Sequence, residues 1–303
     1  MPKATPSVVV RAKNKEETIE RAMRGLREQT VEPEIILVDS GSTDRTVEIA
    51  RPYCDQVISI PAEAFTYGRA LNLGTQNARG QVVFALSAHC VPPSSKWVQV
   101  SLDAYADDNV AGTWGPPTRP DGCPLMGPAK FNLSDVGTDV TWGFSNHASS
   151  WRKQVWEQFP FDEQLIACED KEWMWRILSA GFSLYADPHL VVASSHRRDA
   201  GLRSLYERVH RERLVLSGIR GYPRLTFPGL VRKWWSEFPD GSSRPNWQRR
   251  FSPWRAAELA GEYTGDLAGS RRRGNGARSA SSWSGTPQVQ RLDRPSGKAA
   301  LDG

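Results

Sequence analysis

Three polar clusters, far apart along the chain, hold residue types that do chemistry. The first, Asp39-Ser40-Gly41-Ser42-Thr43-Asp44, follows the apolar run Ile35-Ile36-Leu37-Val38. The second, Ser87-Ala88-His89-Cys90-Val91-Pro92, follows Val82-Val83-Phe84-Ala85-Leu86. The third is Cys168-Glu169-Asp170-Lys171-Glu172, with Ser194-Ser195-His196-Arg197-Arg198 further on. In open α/β sheets ligands bind just beyond the carboxyl ends of strands, where an acid such as Asp39 can accept hydrogen bonds from a nucleotide's base or ribose. Residues 87 and 89 point to one side of an extended segment, which suits two groups reaching one metal ion or one diphosphate. A carboxylate of the Glu169-Asp170 pair, held at a helix start, can take a proton from a substrate hydroxyl. His196 and its arginine neighbours offer imidazole and guanidinium groups to a metal or a diphosphate.

Each cluster also has a plain structural explanation. Ser42, Thr43 and Asp44 make an ordinary helix start, and acids in a first turn complement the helix dipole. A histidine at a strand end is commonly just hydrogen-bonded. Capping leaves Asp39 unexplained, because it sits on the strand side of the turn. The recurrence of such clusters at matching strand ends is what joins them into one signal.

The elements that must position these groups are legible. Residues 7–11 read as a buried strand. Asn14 then reads as the cap of a helix over 15–28, with Ile19, Ala22, Met23 and Leu26 on one face. Strands are expected at 34–39, 56–60 and 81–86, alternating with helices over 43–50 and 68–78. That alternation predicts an α/β fold with a parallel, doubly wound sheet. Residues 114–139, rich in Gly, Pro and Asp, read as a long loop. Beyond it come a strand over 144–151, a helix over 169–180 closed by Gly181, and short strands at 182–186 and 190–193. Amphipathic helices are expected at 202–216 and 228–238. The main domain is expected over 1–220, with a helical extension over 221–266.

Composition narrows the function classes. The 303 residues are 39% hydrophobic, enough for a substantial core, and no apolar run approaches the roughly 20 residues that span a bilayer. Met1-Pro2-Lys3-Ala4-Thr5-Pro6 lacks the apolar stretch of a signal peptide, so a cytoplasmic protein is expected. Four scattered cysteines without a CxxC pair read as reduced thiols. The pI is about 9.1, but residues 267–303 hold seven basic and two acidic residues, which accounts for the whole net charge of +5. The basicity therefore belongs to a Gly/Ser/Arg-rich tail that reads as disordered, and no nucleic-acid partner is expected. Trp234-Trp235, with Leu230, Val231 and Phe238, reads either as a packed helix or as a peripheral membrane contact.

In this order and at these spacings, the motifs resemble those of inverting family 2 glycosyltransferases. Ser7-Val8-Val9-Val10-Arg11-Ala12-Lys13-Asn14 is similar to the family's opening strand, and Val38-Asp39-Ser40-Gly41-Ser42-Thr43-Asp44 to its nucleotide-binding signature. Phe65-Thr66-Tyr67-Gly68-Arg69-Ala70-Leu71-Asn72-Leu73-Gly74 resembles the helix before the metal strand, and Glu169-Asp170 the Glu-Asp motif. The likeness covers about residues 5 to 200, and the Asp-Ser-Gly-Ser variant is nearest a rhamnosyltransferase-like subgroup. It implies the GT-A fold, a Rossmann-like mixed sheet with C-terminal helices. It also implies a nucleotide-diphosphate sugar donor and a hydroxyl acceptor on a glycan, a lipid-linked glycan or a small molecule. Contact with the inner face of a membrane goes with a lipid-linked acceptor.

By that resemblance Asp39 contacts the base, while Arg11, Asn14, Ser40, Gly41, Arg69 and Asn72 line the nucleotide pocket. Ser87, Ala88 and His89 occupy the Asp-x-Asp motif that holds Mn²⁺ or Mg²⁺, and His196 is a further metal ligand. Asp170 is the base, Glu169 orients hydroxyls, and Trp142 and Asn146 face the acceptor. Two departures stand out. Leu71 replaces an arginine, and the metal motif carries no carboxylate. The second leaves two alternatives: a metal bound through His89 and His196, or transfer without metal in which side-chain cations neutralise the diphosphate. The rival reading is a catalytically inactive domain that binds nucleotide sugar or scaffolds glycan assembly. A sugar nucleotidyltransferase is disfavoured, because no Gly-rich phosphate loop follows the first strand, and a dinucleotide oxidoreductase fails for the same reason.

Overall fold

The computed structural model describes residues 6–118, 123–136, 143–194, 201–219, 225–236, 252–272 and 287–292. Its centre is four parallel strands, β1 (Ser7–Ala12), β2 (Glu34–Asp39), β3 (Gln56–Ser59) and β4 (Val82–Ser87). These strands are nearly continuous apolar runs because helices cover both faces. Val8, Val10, Ile35, Leu37 and Phe84 pack against α1 (Ile19–Arg27), α2 (Thr46–Ala50) and α4 (Trp97–Ala104). Val9, Ile36, Val38, Val83 and Ala85 pack against α3 (Tyr67–Asn77), α5 (Lys153–Gln158) and α6 (Glu169–Ser179). Strand alternation puts Arg11 on the face of Val9, toward α3 and α6.

Beyond β4 the sheet becomes mixed. After the short β5 (Cys90–Val91) come β6 (Val110–Trp114), β7 (Ala129–Phe131), β8 (Ala148–Arg152) and β9 (Ser183–Ala186). Then β10 (Ala193–Ser194) pairs with β5, and a late β11 (Gln288–Arg291) closes the far edge. Among the described residues the main sheet runs β11-β3-β2-β1-β4-β8-β6-β9-β7. Because β8 is antiparallel to β4, with Ala148 opposite Leu86, the chain enters β8 at the edge where β1, β2 and β4 end. Register sets Arg11 beside both Val38 and Ser87, and Ala12 beside Asp39. That edge gathers the clusters.

Several expectations change. Asn14 does not cap the first helix: it sits at φ +49°, and α1 begins only after Thr18. The second helix starts at Thr46 rather than residue 43, because Asp44 Oδ1 accepts the Thr46 N–H (3.0 Å) and hydroxyl, holding the preceding residues in a turn. The span read as a loop contains β7, an edge strand with no buried residue, so no apolar alternation announced it. The expected tail is ordered in part. Helical structure continues to Arg272, and Gln288–Arg291 pairs antiparallel with β3 although all four residues are exposed. Main-chain hydrogen bonds, not an apolar pattern, make that strand.

The C-terminal helices are α7 (Leu202–Leu216), α8 (Phe227–Ser236) and α9 (Pro253–Arg272). Gly261, Gly265 and Gly269 form one ridge of α9 against α7. A Cβ at Gly265 would lie 2.5 Å from the His210 carbonyl oxygen, and one at Gly261 2.9 Å from that of Tyr206. Arg213 of α7 and Asp266 of α9 form a buried ion pair across the contact. The expected domain boundary near residue 220 thus falls between two helices that pack together. Gly265→Leu should force them apart, destabilising the protein by about 1–3 kcal/mol; thermal denaturation checks this, and an unchanged Tm would contradict the close approach.

Candidate active site

The turns after β1 and β2 lock each other. Asp39 is buried, and its Oδ2 accepts the N–H groups of Gly41 and Ser42, each at 3.1 Å. Gly41 has φ +81°, a conformation glycine adopts without strain. Asn14 Oδ1 accepts the Thr43 N–H at 2.8 Å, and Asn14 N–H donates to Ser42 Oγ at 2.9 Å. Beside these turns opens a cleft of about 650 Å³ lined by Arg11, Lys13, Asn14, Ser40, Asp44 and Tyr67, among others. The Asp39 carboxylate faces its own turn, so Ser40 and Asp44 present the polar groups of this wall.

A second cleft, of about 580 Å³, is lined by Asn146, Glu169, Asp170 and residues of α7. Arg11, Tyr67, Ser87 and His89 line both, so the two are adjacent compartments sharing one wall. The acids are set by α6, whose preceding residue, Cys168, has φ +59°. Lys171 Nζ donates to the carbonyls of Gly143 (3.0 Å) and Phe144 (2.9 Å), tying α6 to the segment that enters β8. Trp173 anchors the helix from below, 5.1 Å from Phe144 and 5.4 Å from Phe161 between ring centroids.

Asn146 joins the acids. Its N–H donates to Asp170 Oδ2 at 3.2 Å, its Nδ2 reaches Glu169 Oε1 at 3.4 Å, and its Oδ1 accepts the Ser149 hydroxyl at 2.9 Å. Its side chain is thus occupied by Glu169 and Ser149, and its backbone by Asp170. Arg11 donates to the Asn146 carbonyl, and its Nη1 lies 3.6 Å from Glu169 Oε1. Burial, and then the neighbouring Asp170 charge, push the Glu169 carboxyl up to about 7 against the opposing pull of Arg11. Burial, followed by Asp170, likewise pushes the Cys168 thiol upward, so it stays protonated and is no nucleophile.

Four expected pocket residues make contacts within the fold. Arg69 pairs with Glu163 at 2.8 Å and donates to the Ala64 carbonyl. Asn72 donates to the Phe161 carbonyl (2.9 Å) and to Glu163, while its Oδ1 accepts from Trp156 Nε1 (2.8 Å) and the Phe161 N–H. Both lie on the face of α3 that holds residues 161–163, so it is Tyr67, at the start of the helix, that reaches the clefts. Ala88 is buried, its carbonyl accepting the Thr18 hydroxyl. Gly41 lies against Ala62. Trp142 and His196 fall outside the described residues.

Sequence reasoning missed Tyr67, His147 and the polar face of α7. Ser204, Glu207, Arg208, Arg211 and Glu212 recur at helical spacing, so their common face was readable, but not that it covers the second cleft.

The metal expectation meets a poor donor set. Ser87-Ala88-His89 supplies no carboxylate, and hard cations take oxygen ligands. Among the described residues no three His, Cys, Asp or Glu side chains group to hold a metal. Arg11 Nη2 lies 3.5 Å from Ser87 Oγ, so a positive charge already stands beside this motif. These residues do not fit Mg²⁺ or Mn²⁺.

Residues 7–130 match the family model described as Glycosyl transferase family 2. The chain carries the likeness to this family model over less than half of its 303 residues. It is similar to the O-antigen chain rhamnosyltransferase WbaN of Salmonella anatum, 26% identical over 187 residues, or 56% of this chain and 59% of the relative. RfbN of Salmonella typhimurium is also 26% identical, over 56% of this chain and 60% of its own length. The chain thus spans about three fifths of these curated relatives. Among solved structures it resembles the mannosyltransferase PcManGT of Pyrobaculum calidifontis, in complex with GDP-Man and Mn²⁺: TM-score 0.55, 16% identity, 91% of this chain and 77% of that one. Glucosyl-3-phosphoglycerate synthase of Mycobacterium tuberculosis, with Mn²⁺, UDP and phosphoglyceric acid, gives TM-score 0.54 at 18% identity over 71% of this chain and 76% of its own. The fold is GT-A.

The Glu169 environment sets a pH dependence. Its carboxyl, faced by Asp170, Arg11 and Asn146, titrates near 7 in the folded chain and near 4.5 when unfolded. The neutral form is therefore favoured by folding, and the stability it contributes is lost as pH rises from about 4.5 through 7. Relative to Glu169→Gln, the wild-type Tm should fall across that window. Parallel Tm profiles for the two proteins would contradict it.

Proposed function

We propose that the protein transfers a sugar from a nucleoside-diphosphate sugar to an acceptor hydroxyl with inversion at the anomeric carbon. The observation that carries this reading is the shared wall of Arg11, Tyr67, Ser87 and His89 between a cleft beside the Asn14 and Ser40 turns and a cleft holding Asp170. A single displacement needs that arrangement: donor on one side, acceptor and base on the other. The Asp170 carboxylate takes the proton of the acceptor hydroxyl as its oxygen bonds to the anomeric carbon. The bond from that carbon to the diphosphate oxygen breaks on the opposite face, and the nucleoside diphosphate leaves with the electron pair. Glu169 orients the acceptor through the Asn146 network. The rival reading of an inactive binding domain is disfavoured by a carboxylate pair so fully supported by Asn146 and Arg11.

Similarity to O-antigen rhamnosyltransferases supports a deoxyhexosyl donor and a growing polysaccharide as acceptor. Arg208 and Arg211 on the second cleft favour an anionic acceptor, as a diphosphate-linked lipid carrier would be. Peripheral attachment at the inner face of a membrane is consistent with α8, where Phe227, Val231 and Trp235, spaced four apart, are 63%, 44% and 58% exposed. Among the described residues no helix is long and apolar enough to cross a membrane.

Asp170→Asn should leave donor binding within a few-fold of wild type while turnover falls by roughly 10²–10⁴. Nucleotide release across UDP-, GDP- and dTDP-sugars with acceptor measures this, and near-normal turnover removes Asp170 from the role of base. Charge reversal at Arg208 and Arg211 should raise the acceptor KM about tenfold or more. Donor hydrolysis in the absence of acceptor should not change. An unaltered KM would place the anionic group of the acceptor elsewhere.

A further inference from the structure

Arg11 stands where the sheet brings three functions together. Register sets it directly beside Ser87, the first position of the motif that in the family carries metal-binding acids. Its side chain is 10% exposed and lines both clefts. One edge of the guanidinium is fixed by the Asn146 carbonyl and, more loosely, by Ser87 Oγ at 3.5 Å. The guanidinium carbon lies 5.6 Å from the centre of the Tyr67 ring. The nearby acid, Glu169, is 3.6 Å away, beyond a normal hydrogen bond, and Nε and Nη1 have no hydrogen-bond partner. Buried donors are normally matched, and an unmatched one is costly. Arg11 is a held cation whose charge and hydrogen-bonding capacity are only partly used.

The motif beside it makes sense in that light. Carboxylates at positions 87 and 89 would pair with the guanidinium and neutralise it, whereas Ser87 and His89 leave its charge available to an incoming anion. A guanidinium stays charged at any working pH and matches phosphate oxygens in pairs.

We propose that Arg11 takes the place of the divalent cation at this strand end, binding the diphosphate of the donor and stabilising its charge as the sugar–oxygen bond breaks, so that neither donor binding nor transfer requires a divalent metal. This rests on the glycosyltransferase reading and deepens it. The electron pair of the breaking bond goes to the diphosphate oxygen, and the guanidinium supplies hydrogen bonds and charge without itself losing a proton.

Calorimetric titration of the wild-type protein with UDP, GDP and dTDP, in excess EDTA and in millimolar Mn²⁺, tests the proposal. At least one diphosphate should bind with affinities that agree within about threefold in the two buffers. Arg11→Gln should weaken that diphosphate by roughly 10- to 100-fold and leave the matching nucleoside unaffected, while Arg11→Lys retains part of the affinity. The nucleoside arm separates a lost phosphate contact from a damaged fold, and the wild-type comparison stands even if the variant does not fold. Diphosphate binding seen only with Mn²⁺, or equal in wild type and Arg11→Gln, overturns the proposal while leaving sugar transfer intact. Absence of diphosphate binding in both buffers overturns both.

Discussion

A buried guanidinium between the Glu169 carboxyl and the Asn146 carbonyl is the interaction on which this site depends. Arg11 ends β1, Ser87 ends β4, Asn146 precedes β8 and Glu169 opens α6, yet all meet around one positive charge. Adjacent acids at the start of a buried helix repel each other and resist desolvation. Arg11 and the hydrogen bonds of Asn146 offset part of that cost, and Glu169 bears the remainder as a weakened acidity. The result is a pair of carboxyl groups in unlike surroundings, Glu169 enclosed and Asp170 held from one side by Asn146 and its own helix start. Such asymmetry sets the two carboxyl groups apart in acidity.

The parts remote from this centre serve it by position. The antiparallel entry of β8 delivers Asn146 to the edge where the parallel strands stop, and Lys171 then clamps that entry to α6. Above the second cleft, α7 contributes a charged face whose height over the site is set by α9. The glycine ridge lets the helices approach until backbone oxygens occupy the space a side chain would need. Arg213 with Asp266, and Lys233 with Glu262 at 2.9 Å, fix the rotation of the C-terminal helices about one another. The wall that α7 gives the second cleft is therefore coupled to the packing of α9.

The four central strands were legible because a parallel strand buried on both faces must be a short apolar run ending in a polar turn. The boundaries of β2 and α7 were read to the residue. That strand-end residues such as Arg11, Ser40, Ser87 and His89 would gather at one cleft was readable for the same reason, since a strand end is a fixed address in such a sheet. Helix-borne residues fared less well. Arg69 and Asn72 belong to a recognisable motif, but a helix turns about 100° per residue, and small differences of rotation decide whether a side chain meets a cleft or a neighbouring loop. Edge strands β7 and β11 escaped notice because they bury no apolar face.

Taken alone, the order of residues along the chain determined the α/β alternation, the strand ends that bear polar clusters and the missing acids at Ser87-Ala88-His89. Those properties are local, written in hydrophobic periodicity and in the chemistry of single side chains. Tertiary structure alone decided that Arg11 stands beside Ser87, that Asn146 hydrogen-bonds the acids and that α7 lines the second cleft. Asn146 lies 23 positions from Glu169 and Arg11 lies 76 from Ser87, and only strand register and helix packing bring such groups within hydrogen-bonding reach.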